Sequence, residues 1–373
     1  MTDPLIVSLV CNLVEEEGID SIQSFPREGQ KARFLSHLVQ ELLKREQDKR
    51  QRHTGLAQDF KEFHRVLQTV AFSTISRGIQ KITPGQLQAF VYGAFENTAE
   101  KPPEAVDAFR TMAWIHASSD GDLAFRHEVL TLVCAAQYIN QICESRNALD
   151  VADWQPQAPL ADVVCQFAGE TISSNGVLRA VEMLSGSVQF NVRQLIVSVL
   201  QAASDRDDFE GISEKQLSER TLASICRGIE SEPSFAYLPV RILLKSLSEK
   251  RQIQISVILL WFFSKKELTA GTLKAALDLL HLRVSRDWNF CDDLRDLKEN
   301  PTTSFDSRLL KDLGISARDL MDFTQYENIL QVIHANPNTD TLTRQYADRT
   351  LRGIEGEKHR LEQFGHSRGR ENR

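Results

Sequence analysis

The chain has 373 residues, 42% hydrophobic and 25% charged, with 11 prolines and a net charge of -7 at pH 7. That length accommodates two or three domains with sizeable cores. The acidic balance excludes a global basic field of the kind that recruits nucleic acid or an anionic membrane surface.

Helical periodicity dominates from the start. After Pro4, the residues Leu5, Leu9, Val10 and Leu13 share one stripe, and Phe34, Leu38, Val39 and Leu42 make a second, over 31–46. Charges thicken between Lys44 and Arg52, as at an exposed helix end and loop. Thr83-Pro84 is a helix start, with Thr as cap and Pro at the first helical position. The helix over 84–95 carries Leu87, Phe90, Val91 and Ala94 on one face. Pro102-Pro103 closes that stretch, and 104–117 reads as the next helix. Asp120-Gly121 between two short apolar runs predicts a β-hairpin, because both residues tolerate positive φ. The second strand carries Leu123 and Phe125 and delivers His127 to the start of an apolar helix containing Ala135-Ala136.

A break falls near residue 145. The stretch 147–160, with Trp154, Pro156 and Pro159, reads as a linker or irregular turn. Short amphipathic helices then recur over 160–173, 175–184, 188–203, 213–230, 238–249, 253–263 and 269–282, with breaks at Ser185-Gly186 and Glu232-Pro233. The spacing suggests an α-solenoid-like array without a clean repeat period. The stretch 289–313 reads as irregular, 316–332 as helical, and Asn336-Pro337-Asn338 as a turn. The last helix, 341–364, is strongly charged, and 365–373 is polar and expected to be disordered.

Motifs that carry chemistry are sparse. No Gly-x-x-x-x-Gly-Lys-Ser/Thr loop, Gly-x-Ser-x-Gly elbow or His-Glu-x-x-His pair occurs in the chain. The six cysteines, Cys11, Cys134, Cys143, Cys165, Cys226 and Cys291, form no Cys-x-x-Cys pair and read as buried, reduced thiols. His53, His64, His116, His281, His334, His359 and His366 show no metal-ligand spacing, so no metal is expected. Asp205-Arg206-Asp207-Asp208 reads as a solvated loop, and Trp261-Phe262-Phe263 as core. The basic residues of the tail (Lys358, Arg360, Arg368, Arg370, Arg373) alternate with acids, so nucleic acid is not an expected partner. The longest strongly apolar run, 253–263, is too short for a membrane span of about 20 residues. The N-terminal apolar run lacks the basic flank of a signal peptide, so the chain is expected in the cytoplasm.

The hairpin, His127 and the helix behind it resemble the end of the winged-helix domain in NACHT-type signal-transduction NTPases of the STAND class. The run from Pro4 to Val14 resembles the first helix of that family's helical lid. The run from Lys31 to Glu46 resembles the following lid helix, with its Leu-Leu-x-Arg-Glu ending. The run from Phe60 to Phe72 resembles the helix that opens the winged-helix domain. The likeness covers roughly residues 3 to 140. It implies that His127 contacts the phosphate of bound ADP and that Pro4 packs on adenine. The chain departs from the family at Leu132, where an acidic residue is usual five positions after the histidine, and in having no P-loop.

The expectation is an all-α protein with one small β-hairpin. A helical lid segment (1–55) and a winged-helix-like domain (56–145) precede a helical array for sensing or interaction (146–340) and a charged helix with a disordered tail (341–373). The resemblance implies the regulatory and sensor portion of a NACHT-like signalling NTPase, a class that commonly serves antiviral defence in bacteria. On its own the chain is expected to have no catalytic residue and to bind no cofactor. ADP or ATP enters only with a partner NTPase core, and the other expected partner is a trigger protein. The residues alone leave open a second reading, a free-standing helical scaffold that binds a protein partner without nucleotide, with His127 merely starting a helix.

Overall fold

The computed structural model describes residues 11, 31–54, 60–79, 81–95, 115–145, 154–184, 189–206, 212, 215, 217–231, 237–265, 270–284, 307–320, 322 and 324–368. They are mostly helical, with one two-stranded antiparallel sheet. They cluster into two compact units, Met1–Val177 with Val188–Asp207, and Leu178–Ser187 with Asp208–Arg373.

The first unit contains helices α1 (Lys31–Thr54), α2 (Phe60–Ser76) and α3 (Pro84–Phe95), strands β1 (Ile115–Ala117) and β2 (Leu123–Phe125), and helices α4 (Glu128–Ser145) and α5 (Ala161–Thr171). The chain crosses to the second unit within α6 (Ser174–Leu184) and returns for α7 (Phe190–Ser204). At the centre lies α4, whose residues 130 to 136 are buried without interruption. An apolar run of that kind has no polar face to give to water, so the helix must be covered all round. Val66, Leu67, Val70, Ala71 and Phe72 of α2 cover one side, and α1 and α5 pack against α4 as well. Helix α5 lies along α7, and Gly169 makes the close approach.

Helix α3 starts as its sequence predicts. Thr83 and Gln86 form a reciprocal capping box, with Thr83 N–H donating to Gln86 Oε1 at 2.9 Å and Gln86 N–H to Thr83 Oγ1 at 3.3 Å. Just ahead of it, Ile82 pairs with Leu123 through two backbone bonds of 2.8 and 2.9 Å, which fastens the hairpin to the helices.

Five stretches differ from the sequence expectation. Residues 115–117, which read as the end of a helix, are strand β1, and 104–114 lie outside the described residues. Trp154, placed in a linker, is a core residue: it is 1% exposed and stacks on Phe72 at 5.7 Å between ring centroids. The chain around it is irregular, but the indole side chain is too large and apolar to leave in water. The expected helix over 316–332 is two helices, and 307–313, expected to be irregular, is helical. Helix also continues through residues 365–368, where disorder was expected.

The second unit holds α8 (Glu219–Ser231), α9 (Tyr237–Ser246), α10 (Glu249–Ser264), α11 (Ala270–Val284), α12 (Ser307–Leu313), α13 (Ala317–Leu320), α14 (Thr324–Ala335) and α15 (Thr341–Arg368). Its centre is α10, where residues 254 to 263 are all buried and α8, α11, α13 and α14 pack around them. Trp261, Phe262 and Phe263 are core, as expected. Packing also joins elements far apart in the chain, such as α8 with α12 and α11 with α15. Side chains close the helix ends: Asp340 Oδ1 accepts from Thr343 N–H at 3.0 Å, and Arg251 reaches Leu217 O and Glu219. Among the described residues no helix is long and apolar enough to cross a membrane.

Candidate functional site

The hairpin register pairs Ile115 with Phe125, His116 with Ala124 and Ala117 with Leu123. Alternation along β1 and β2 turns Ile115 and Leu123 inward, both 2% exposed. Gly121 N–H donates to Ser118 O at 3.0 Å, and Ser118 N–H to Asp122 O at 2.8 Å. Gly121 has φ +80°, and Asp120 is not among the residues of positive φ. The turn is therefore a three-residue loop with a glycine bulge, in place of the two-residue turn that Asp-Gly suggests.

The strand then exits through Arg126, whose Nε donates to Ile115 O at 3.2 Å. His127 follows directly and precedes α4; its carbonyl accepts Leu130 N–H at 3.1 Å. Its ring is half-buried, between the exposed side chains of Arg126 and Glu128. The hairpin thus fixes where the imidazole sits, at the positive end of the central helix. Leu132, at the position where the resembling family carries an acid, is 5% exposed and belongs to the core. Pro4 lies outside the described residues.

A second polar feature escapes the sequence patterns. His64 of α2 has its Nε2 2.9 Å from Gln137 Oε1 of α4 and 3.1 Å from Gln68 Nε2, one turn along its own helix. Gln68 Nε2 also lies 3.3 Å from Gln137 Oε1, and Gln137 Nε2 donates to Ser36 Oγ of α1 at 3.0 Å. Three helices meet at these four side chains. Burial pushes the His64 imidazole below its ordinary value, against a smaller opposing effect of its bond to Gln137. Only the i, i+4 spacing of His64 and Gln68 marks this in the sequence, and in an amphipathic helix such a pair reads as a solvated face.

Elsewhere the side chains hold the fold. Arg206, from the acidic run at 205–208, is half-buried and donates to Gly169 O and Ile172 O, closing the end of α5. Asp207 and Asp208 lie outside the described residues. Cys134, Cys143, Cys165 and Cys226 are buried free thiols, which burial pushes up to about 12, so they carry no thiolate at neutral pH. Cys11 is exposed, and Cys291 lies outside the described residues. Among the described residues no group of three or more His, Cys, Asp or Glu could hold a metal ion. Beneath the hairpin a cavity of about 10 Å³, lined by Val70, Ile82, Leu87 and Ile115 among others, has room for one water-sized body and none for a nucleotide.

Comparison with protein-family models, with curated proteins and with solved structures finds no match to this chain.

Proposed function

We propose that the chain is the regulatory and sensor portion of a NACHT-like signalling NTPase, closing over ADP held by an NTPase core supplied in cis or in trans. The observation that carries this reading is the seat of His127. The order helix, bridging residue, helix, hairpin, histidine, buried helix supports this reading, since a histidine after a wing hairpin is what the resemblance implies. Ile82 bridging to Leu123 supports the same reading, because it ties the wing to the helices on either side of it. In this reading α1 is the second lid helix, the segment 56–145 is the winged-helix domain, and the helices after it form a helical array that senses a trigger protein.

An imidazole held at a helix start donates a hydrogen bond to a phosphate oxygen, and the positive helix end adds to the attraction. The hairpin aims the ring, and the core provides the rigid base. Leu132 lies in the core and supplies no second polar group there. The chain binds and orients in this scheme and performs no phosphoryl transfer, which needs phosphate-cradling glycines, a lysine and magnesium carboxylates. The expected outcome is that the purified chain turns over neither ATP nor GTP. A steady turnover that is abolished by substitutions in this chain contradicts the assignment.

A further inference from the structure

Four side chains at the meeting point of α1, α2 and α4 form a polar chain inside an otherwise apolar packing. Gln68 is 1% exposed and its Oε1 has no hydrogen-bond partner, so the amide is already incompletely satisfied. His64 is half-buried against Gln68 and Gln137. The link to α1 runs through Gln137 to Ser36. Apart from this link, the first turn of α1 is held by Glu170 of α5, whose Oε2 accepts Ala32 N–H at 3.3 Å and whose carbonyl accepts from Arg33 Nε at 3.2 Å.

We propose that the His64–Gln68–Gln137–Ser36 junction is a proton-sensitive clamp: neutral His64 holds α1 against α2 and α4, and protonated His64 lets α1 go. A second proton places a full charge on a ring whose neighbours here are neutral amides, in a site largely closed to water. Gln137 Oε1 accepts from a protonated Nε2, but that Nε2–H then faces the Gln68 amide nitrogen, itself a donor, at 3.1 Å, while the charge is drawn out of water. The strain is relieved by opening the junction at α1, which meets it through the Gln137–Ser36 bond and otherwise packs by one apolar stripe, Ala32, Leu35, Leu38 and Val39.

Among the described side chains, other ionisable groups on the packed elements are placed differently. On α1, Arg33 is engaged with the Glu170 carbonyl, His37 is exposed, and Glu41 is bonded to Lys44. On α2, Arg65 is exposed. On α4, Glu128 and Glu144 are exposed, and Cys134 and Cys143 are thiols pushed up to about 12. On α5, the Glu170 carboxylate is turned to the Ala32 N–H. That acid releases a lid helix rests on the function proposed above, whereas the clamp itself stands without it.

The test is hydrogen exchange of the full chain at pH 7.5 and pH 5.5, corrected for the intrinsic pH dependence of exchange. In the native sequence the opening constant of amides 33–44 should rise at least about threefold at the lower pH, with α10 unchanged. In His64→Gln, which keeps an amide in place of the ring, the two pH values should give the same protection. His37→Gln should retain the native pH response. Equal protection of α1 at both pH values in the native chain overturns the clamp, as does an undiminished loss in His64→Gln. Should His64→Gln fail to fold, the His64 ring resonance decides. It should titrate below pH 6.5, and the α1 amide shifts should follow the same midpoint; shifts that ignore that midpoint overturn the proposal. No nucleotide or partner core enters this experiment, so its failure leaves the ADP reading standing, and the reverse also holds.

Discussion

At Gly169 the backbones of two helices touch. A Cβ there would lie 2.4 Å from Ala202 Cβ, 2.6 Å from Val199 O and 2.8 Å from Ala203 N, distances that only movement of α5 or α7 can relieve. Helix propensity favours alanine over glycine by about 1 kcal/mol, but overpacking costs about 1–3 kcal/mol. Gly169→Ala should therefore destabilise the first unit on balance. Gly356, exposed in α15, has nothing within 4 Å of the same atom, and Gly356→Ala should stabilise the second unit by about 0.5–1 kcal/mol. Chemical denaturation of the two variants should move their midpoints in opposite directions; a shared direction would mean that close approach does not govern Gly169. Gly121 is held by φ +80°, and a Cβ there would meet Pro84 Cγ at 3.4 Å. Gly121→Val should cost the first unit about 1–2 kcal/mol, with a smaller effect in the second. An unchanged melt would remove the need for a left-handed residue in this loop.

At the scale of elements, what could be read in the sequence was what periodicity and turn chemistry report. The two most apolar runs, behind His127 and at 253–263, became the central helices α4 and α10, because a helix apolar on every side has one stable place. Thr83-Pro84 gave a true cap, and Asp120-Gly121 a true hairpin with a different loop. Two of the misreadings share a cause: they were decided by packing between segments far apart in the chain. Trp154 lies in a Pro-containing stretch that reads as a linker, and only the ring of Phe72, far earlier in the chain, makes it core. Residues 307–313 lack a strong pattern of their own and are helical where Leu309 and Leu310 are buried, in a helix that packs on α8. The seat of His127 was legible because strand, histidine and helix are neighbours in sequence. The His64 junction was not, since Ser36, His64 and Gln137 are far apart in the chain.

At the scale of the whole molecule, the two units should respond differently to acid. An unfolded histidine binds its proton near pH 6.5, whereas folded His64 binds it at lower pH. Between those values the unfolded chain holds more protons, so this contribution to stability is complete above pH 6.5 and is lost as pH falls through the folded value. In the second unit, Asp319 and Asp322 are held below the usual carboxylate value by hydrogen bonds from Ser316 and Thr324. Their contribution is complete above about pH 3.9 and is lost only in stronger acid. Acidification from pH 7.5 to 5.5 should accordingly lower the melting temperature of the first unit by way of His64 and leave these helix caps intact. A drop of the same size in His64→Gln would place the effect elsewhere.

The measurement that bears most directly on the proposed function is association with a NACHT-type NTPase core, added in trans, with and without ADP, for the native chain and for His127→Ala. A hydrogen bond to a charged phosphate is worth about 1.5–3 kcal/mol. The native chain should bind the ADP-loaded core more tightly than the empty one, and His127→Ala should weaken that ADP-dependent part about tenfold while the isolated chain melts as before. Leu132, in place of the acid usual in the family, sets the expectation at the lower end of the energy range. Association that is indifferent to ADP, together with a lowered melting temperature in His127→Ala, would contradict the nucleotide-linked function. It would leave His127 as a structural residue at the start of α4 and the chain as a helical scaffold.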